Sequence, residues 1–106
     1  MNEPSLRQIR YFIAVANAGQ ISRAAMELNV SQSAVTTAVK QLEETVGTQL
    51  LERHAGGVAL TYEGNIFFDH AQRVMAAVDE AVRSPRRRRD DVTGALRLAM
   101  TYTVAG

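Results

Sequence analysis

The chain has 106 residues, of which 46% are hydrophobic and 22% are charged. This length suits one small domain and excludes a barrel enzyme or a doubly wound dinucleotide-binding fold, while the composition excludes a disordered chain. Because the chain has no cysteine, it has neither disulfides nor a thiolate metal site. We predict a cytoplasmic protein that does not contact membranes, since no signal peptide and no apolar run of about 18 residues is visible.

The charges of the chain nearly cancel. The formal net charge is +1, and residues 1–62 carry equal numbers of basic and acidic side chains. Charge alone therefore gives no indication of nucleic-acid binding, and the function must be inferred from the pattern of residues.

Start and end signals divide the first half of the chain into three helices. A capping box and apolar residues at three- and four-residue spacing predict a first helix at Ser5–Ala18. Ser22 is predicted to cap a short second helix, followed by Asn29, which tolerates the left-handed conformation. Ser31 is predicted to cap a third helix over about Gln32–Val46.

The predicted third helix has one apolar and one polar face. At 100° per residue its apolar side chains fall on one side, and small hydrogen-bonding side chains fall on the other. The second and third helices are joined by a tight turn, so they must cross steeply. The spacing of Ala25, Leu28, Val30 and Val35 around that turn is typical of a helix-turn-helix, whose exposed polar face is free to enter a major groove.

The rest of the chain predicts a hairpin, a long helix and a strand. Short apolar segments flank His54–Gly57, which indicates a β-hairpin, and Thr61 is predicted to cap a helix that ends near Arg83, before Ser84-Pro85. A charged hinge is expected at 85–93, and the alternating residues 94–101 resemble a lone strand, so we expect a truncated second domain there.

The apolar stripe of the long helix is wider than one neighbouring helix requires, so we expect it to dimerise the chain. The predicted dimer interface consists of Phe67, Ala71, Val74, Val78 and Ala81.

Six short motifs, taken in order, resemble one known family. They are Leu6-Arg7-Gln8-Ile9-Arg10-Tyr11-Phe12, Ala24-Ala25, Val30-Ser31-Gln32-Ser33-Ala34-Val35-Thr36, Gln41-Leu42-Glu43, Leu50-Leu51-Glu52-Arg53 and Leu60-Thr61-Tyr62-Glu63-Gly64. This string, over about residues 5–100, resembles the N-terminal domain of LysR-type transcriptional regulators.

The resemblance implies a mainly α fold and a domain order. A winged helix-turn-helix, with three helices and a short hairpin wing, occupies 1–62 and is followed by a dimerisation linker helix at 63–84. The hinge at 85–93 then leads to the first strand, at 94–106, of a domain that binds a small-molecule effector. No cofactor is expected in the chain itself.

The resemblance also implies a site. Residues expected to face DNA bases are Gln32, Ser33, Thr36 and Thr37. Residues expected to contact phosphate or position the protein are Ser22, Arg23, Ser31, Lys40 and Arg53. Thr37 stands where the family often has a long polar residue, and the wing lacks a second basic residue that many members carry.

The expected partners are double-stranded promoter DNA and RNA polymerase. The chain is expected to form a homodimer through the linker helix, and the full-length protein is expected to form a tetramer. A helical protein-interaction module without specific DNA binding is the alternative. An enzyme is excluded because no paired carboxylates, nucleophile-base pair or phosphate loop is present. His54 and His70 are interpreted as ordinary surface residues, without a second ligand at metal spacing.

Overall fold

The computed structural model describes residues 3–90, with side chains up to residue 85, and its fold is mainly α as predicted. The element order is α1 (Leu6–Ala18), α2 (Ile21–Leu28), α3 (Gln32–Val46), β1 (Leu51–His54), β2 (Gly57–Leu60) and α4 (Tyr62–Asp90). The chain divides into two compact units, Met1–Met75 and Ala76–Gly106. Within the described residues, every helix is too short or too polar to span a bilayer.

Helices α1 and α3 begin and end at the residues that the sequence indicates. The Ser5 hydroxyl accepts from the Gln8 backbone N–H at 3.0 Å, and the Gln8 side chain accepts from the Ser5 N–H at 3.1 Å, which completes the capping box. The Ser31 hydroxyl accepts from the Ala34 N–H in the same way. Each helix ends at a glycine with positive φ, Gly19 and Gly47, a conformation that glycine adopts at no steric cost.

The second helix begins before the predicted cap. Its N-cap is Gln20, which makes no side-chain cap hydrogen bond, and Ser22 lies inside the first turn, so the prediction that Ser22 caps α2 is wrong. A tertiary contact lies at this end of α2, since the carbonyl of the preceding Gly19 accepts from the Val58 N–H of β2 at 2.8 Å. At the other end, Asn29 adopts the predicted left-handed conformation, with φ of 60°.

The core lies between α1, α2 and α3. Phe12, Val15, Ala24, Val35 and Leu42 are all fully buried. Buried alanines let the helices approach closely, and the apolar face of α3 faces this core as its periodicity predicts. The opposite, polar face of α3 is therefore directed outward.

The hairpin is attached to both neighbouring elements. β1 pairs with β2 in antiparallel register, with His54 opposite Gly57, so its two-residue turn is Ala55-Gly56. A Cβ at Gly57 would lie 2.1 Å from the Gly19 carbonyl oxygen, so glycine is required for this close approach. At the base of the hairpin, the Glu43 carboxylate of α3 accepts from the backbone N–H of Leu50 at 2.7 Å and of Leu51 at 3.1 Å.

The first part of α4 contributes to the core of the first unit. Thr61 caps the helix as predicted, since its hydroxyl accepts from the Gly64 N–H at 2.9 Å. The Phe67 ring packs edge-on against Phe12, with centroids 5.5 Å apart, and Ala71 is 1% exposed. The prediction that Ala71 lies in a dimer interface is therefore wrong, because the chain's own core already covers it.

In the second unit, α4 continues through Pro85 to Asp90, so the prediction that Ser84-Pro85 ends the helix is wrong. Proline removes one backbone hydrogen-bond donor from the helix. The four arginines that follow have a high helix propensity, and this propensity favours continuation of the helix past Pro85. Residues 85–90 of the expected hinge are thus helical, and the strand expected at 94–101 lies outside the described residues.

Candidate nucleic-acid interface

The exposed side of α3 consists of two rows of polar side chains at four-residue spacing. Gln32, Thr36 and Lys40 form one row, and Ser33, Thr37 and Gln41 form the other. Thr36 is half-buried and the other five are exposed. Each row borders a different neighbouring element, so the single polar face predicted from periodicity is divided into two surfaces.

The first row faces the hairpin, and we call this surface the wing flank. A groove between α3 and the hairpin is lined by Thr36 and Lys40 on one side and by Arg53 of β1 on the other. A second concavity continues from it toward the start of α3, and there Gln32 and Arg53 are joined by Ser22 and His54. The wing flank therefore brings together side chains from α2, α3 and β1, five of which were predicted as DNA contacts in two separate groups.

The second row faces the N-terminal half of α1, and we call this surface the α1 flank. Its groove is lined by Ser33, Thr37 and Gln41 of α3 and by Arg7 and Tyr11 of α1. The rows thus divide the four predicted base-facing residues evenly, with two on each flank.

An amide–amide hydrogen bond ties the α1 flank together. Gln8 Nε2 donates to Gln41 Oε1 at 3.1 Å, while the other end of the Gln8 amide closes the capping box of α1. Because the Gln41 oxygen is already used, its amide nitrogen presents hydrogen-bond donors to the groove. Gln41 is thereby fitted to meet an acceptor, such as a phosphate or guanine, rather than to read adenine with both atoms.

The remaining predicted phosphate contacts differ in position. Ser31 is exposed, but its hydroxyl caps α3 and lies 3.2 Å from the Ser33 hydroxyl, so both hydroxyls have partners in the free protein. Arg23 is exposed on α2 and lines none of the three grooves described above.

The cations of the wing flank are available to an outside partner. Within residues 3–85, Lys40 and Arg53 have no carboxylate within 4 Å, and the ion pairs identified, Asp69–Arg73 and Glu80–Arg83, both lie in α4. Glu43 also lines this groove, but its carboxylate accepts from the Leu50 and Leu51 N–H groups and forms no ion pair with either cation. Unpaired cations beside a groove attract phosphate without first having to break an internal salt bridge.

The family profile described as "Bacterial regulatory helix-turn-helix protein, lysR family" matches residues 6–65. The chain belongs to the LysR family. Its matched segment contains α1, α2, α3, the hairpin and the start of α4, so both flanks lie within the LysR-family domain.

Known LysR-family proteins are similar in sequence and structure. The chain is 38% identical over 93 residues to the HTH-type transcriptional regulator TfdT of Cupriavidus pinatubonensis (strain JMP 134 / LMG 1197), which covers 88% of this chain and 41% of TfdT. The DNA complex of the BenM DNA-binding domain with catB site 1 matches with TM-score 0.76 and 36% identity, covering 79% of this chain and 93% of that one.

The complex of the CbnR DNA-binding domain with DNA matches with TM-score 0.69 and 41% identity, covering 82% of this chain and 97% of that one. The LysR-family segment is therefore a winged helix-turn-helix domain that binds double-stranded DNA. These findings do not favour the alternative of a purely helical interaction module. They also agree with the prediction that the chain is no enzyme, because the relatives are transcriptional regulators.

Sequence reasoning did not identify every residue that lines the two flanks of this LysR-family domain. Gln41 was visible on the polar face of α3, but Arg7 and Tyr11 are more than twenty residues from α3 and only packing brings them to it. His54 is exposed, as its interpretation as a surface residue expects, and it lines the wing flank beside Arg53.

Proposed function

We propose that the chain binds specific double-stranded sequences with α3 in the major groove and the hairpin against the sugar-phosphate backbone. The observation that carries this proposal is the wing flank, where an outward polar row of α3 and the unpaired Arg53 border one groove. A major groove about 12 Å wide accepts one helix, and a cation beside that helix then meets the phosphates at the groove edge.

Within this proposal the side chains have two kinds of role. Residues on the first turns of a recognition helix point into the groove floor and read base edges, and here these residues are Gln32, Ser33, Thr36 and Thr37. The positioning contacts to phosphate come from Ser22, Arg23, Ser31, Lys40 and Arg53.

The test begins by selecting bound duplexes from a random pool and then measures the affinity of variants for the selected sequence. Gln32→Ala should cost about 1–3 kcal/mol and relax the preference at one base position, because it removes one base-reading side chain. Gln72→Ala is the matched control, since it truncates an exposed glutamine on α4, outside both flanks. An unchanged base preference in the Gln32 variant would contradict the proposed role of α3.

We further propose that the chain is a homodimer through α4. In the second unit, Val82 is 71% exposed, Val78 is half-buried and Ala81 is exposed, so this helix carries apolar side chains that a partner would cover. In the first unit Val74 is 42% exposed, whereas Phe67 already packs on Phe12. The interface we propose therefore centres on Val78, Ala81 and Val82 rather than on Ala71.

Sedimentation measures this association directly. Val78→Glu should yield monomers, because a dimer would bury an unpaired charge. Ala76→Glu adds the same charge about 200° around the helix and should leave the dimer intact. A dimer that persists in the Val78 variant, with an unchanged association constant, would contradict the assignment.

The chain spans 41% of the length of TfdT, so for the whole protein we propose only what the family similarity supports. That protein is a cytoplasmic transcriptional regulator that binds a small-molecule effector in additional sequence, assembles as a tetramer and contacts RNA polymerase.

A further inference from the structure

We propose that His54 is a DNA-positioning residue, whose Nε2–H donates to a backbone phosphate beside the phosphate bound by Arg53. This inference rests on the proposed docking of the wing flank. It differs from the interpretation of His54 as an ordinary surface side chain, and it adds an imidazole donor to the contacts made by the lysine and arginine side chains.

The position of His54 is the first observation that supports a phosphate contact. It is the last residue of β1, it is exposed, and it lines the same concavity as Ser22, Gln32 and Arg53. The residues around this concavity are Gln20, Ile21, Ser22, Gln32 and 53–58, and they include no acidic side chain. Every ionisable or hydroxyl side chain that borders it can donate a hydrogen bond, so the concavity suits an anion.

The turn of the hairpin sets the orientation of the ring and determines which ring nitrogen can donate. The Gly56 backbone N–H donates to His54 Nδ1 at 3.1 Å. A ring nitrogen that accepts a hydrogen bond carries no proton, so Nε2 is the ring nitrogen that is left to donate. The structure records no hydrogen bond of Nε2 within residues 3–85, so Nε2–H can donate to a partner outside the chain.

The strand geometry separates the two donors of the wing. Arg53 and His54 are successive residues of β1, so their side chains leave the backbone in different directions although both border this concavity. They therefore engage neighbouring phosphates rather than compete for one. Phosphates are alike in every sequence, so the His54 contact strengthens binding to all duplexes by the same factor and carries no base preference.

Two substitutions separate the phosphate contact from the hydrogen bond within the turn. His54→Asn keeps a side-chain oxygen near the position of Nδ1, where it can accept from Gly56, but it lacks a donor at the reach of Nε2. His54→Gln loses the acceptor of the turn and places an amide donor near the position of Nε2. We expect the Asn variant to bind both the selected duplex and an unrelated duplex about tenfold more weakly, while the Gln variant binds within about threefold of the original chain.

Neutralising single phosphates of the selected duplex as methylphosphonates identifies the contact on the DNA. One phosphate near the hairpin should matter to the original chain and to the Gln variant but not to the Asn variant, a coupling that a purely structural role would not produce. Arg53→Ala should remove the dependence on a different, neighbouring phosphate.

The outcomes separate this proposal from the proposed function. If Arg53 couples to a phosphate and His54 couples to none, the role of His54 is overturned and the docking of the wing flank stands. If neither residue couples and Gln32→Ala leaves base preference unchanged, the docking itself fails. Affinities of the Asn and Gln variants that are equal to each other on both duplexes would also overturn the proposal.

Discussion

The wing flank and the α1 flank lie on the same helix but are built for different tasks. The wing flank places Lys40 and Arg53, both without ion pairs in the described part of the chain, around a groove that belongs to two elements. The α1 flank instead joins α1 to α3 through the Gln8–Gln41 hydrogen bond. The side chains of Lys40 and Arg53 on the wing flank can bind phosphate without breaking an ion pair. On the α1 flank, the Gln41 side chain makes a hydrogen bond that connects α3 to α1.

This difference shows that two neighbouring rows of polar side chains on one helix can have different functions. The rows at 32, 36, 40 and at 33, 37, 41 have similar residue types, yet one borders a hairpin and the other a helix. What each row can contact on DNA depends on which neighbour stands beside it. Four predictions test this comparison, beginning with the largest expected effect.

Gly57→Ala should disrupt the wing flank and leave the α1 flank in place. The added Cβ would lie 2.1 Å from the Gly19 carbonyl oxygen, and the φ of 143° disfavours any side chain. We expect a loss of about 3 kcal/mol in the free energy of unfolding, measured by urea denaturation.

Gly56→Ala is the matched control for this glycine, because its nearest neighbours would be the His54 ring atoms at 3.5 and 3.6 Å, an ordinary contact. It should change the free energy of unfolding by less than about 1 kcal/mol. Equal losses in the two variants would mean that the approach of β2 to Gly19 does not hold the hairpin in place.

Arg53→Ala should weaken binding to every duplex alike and reduce the dependence on salt. For a dimer, the slope of log affinity against log salt should lie at about −4 to −6, and the variant should lower its magnitude by about 1.8, since each subunit releases one phosphate contact. A salt titration of affinity measures this slope. If Arg7→Ala on the α1 flank lowers it by the same amount, the electrostatic contrast between the flanks is wrong.

The four arginines at 86–89 provide a further electrostatic test. Replacing all four with alanine should leave the slope nearly unchanged, because Asp90 and Asp91 adjoin them and the proposed phosphate contacts lie elsewhere. A slope near −10 that collapses in this variant would show that these arginines, rather than the winged domain, dominate the electrostatics.

Gln41→Ala should have the smallest effect. It removes one exposed hydrogen bond between α1 and α3, so thermal denaturation should show a loss of less than about 1 kcal/mol. Gln8→Ala removes the same bond and also the hydrogen bond from the Ser5 N–H to the Gln8 side chain, so it should lose about 0.5–1 kcal/mol more. A shift in base preference in the Gln41 variant as large as that from Gln32→Ala would show that the α1 flank reads sequence as strongly as the wing flank.

The sequence by itself determined the ends of most elements, because capping acts within a few residues. Ser5, Ser31 and Thr61 accept from N–H groups three positions ahead, and Asn29 lies in the left-handed turn that the sequence indicates. The same local logic, a 3.6-residue period, was enough to separate the core face of α3 from its outer face.

Only the tertiary structure decided which surfaces those faces meet. The Gly19–Val58 and Gln8–Gln41 hydrogen bonds join residues more than thirty positions apart, and they lie at the start of α2 and on the polar face of α3. Packing also buried Ala71 inside the first unit, although its spacing suggested a dimer interface. The periodicity of a helix indicates which side chains share its apolar face. The segment that covers this face depends on how distant parts of the chain pack.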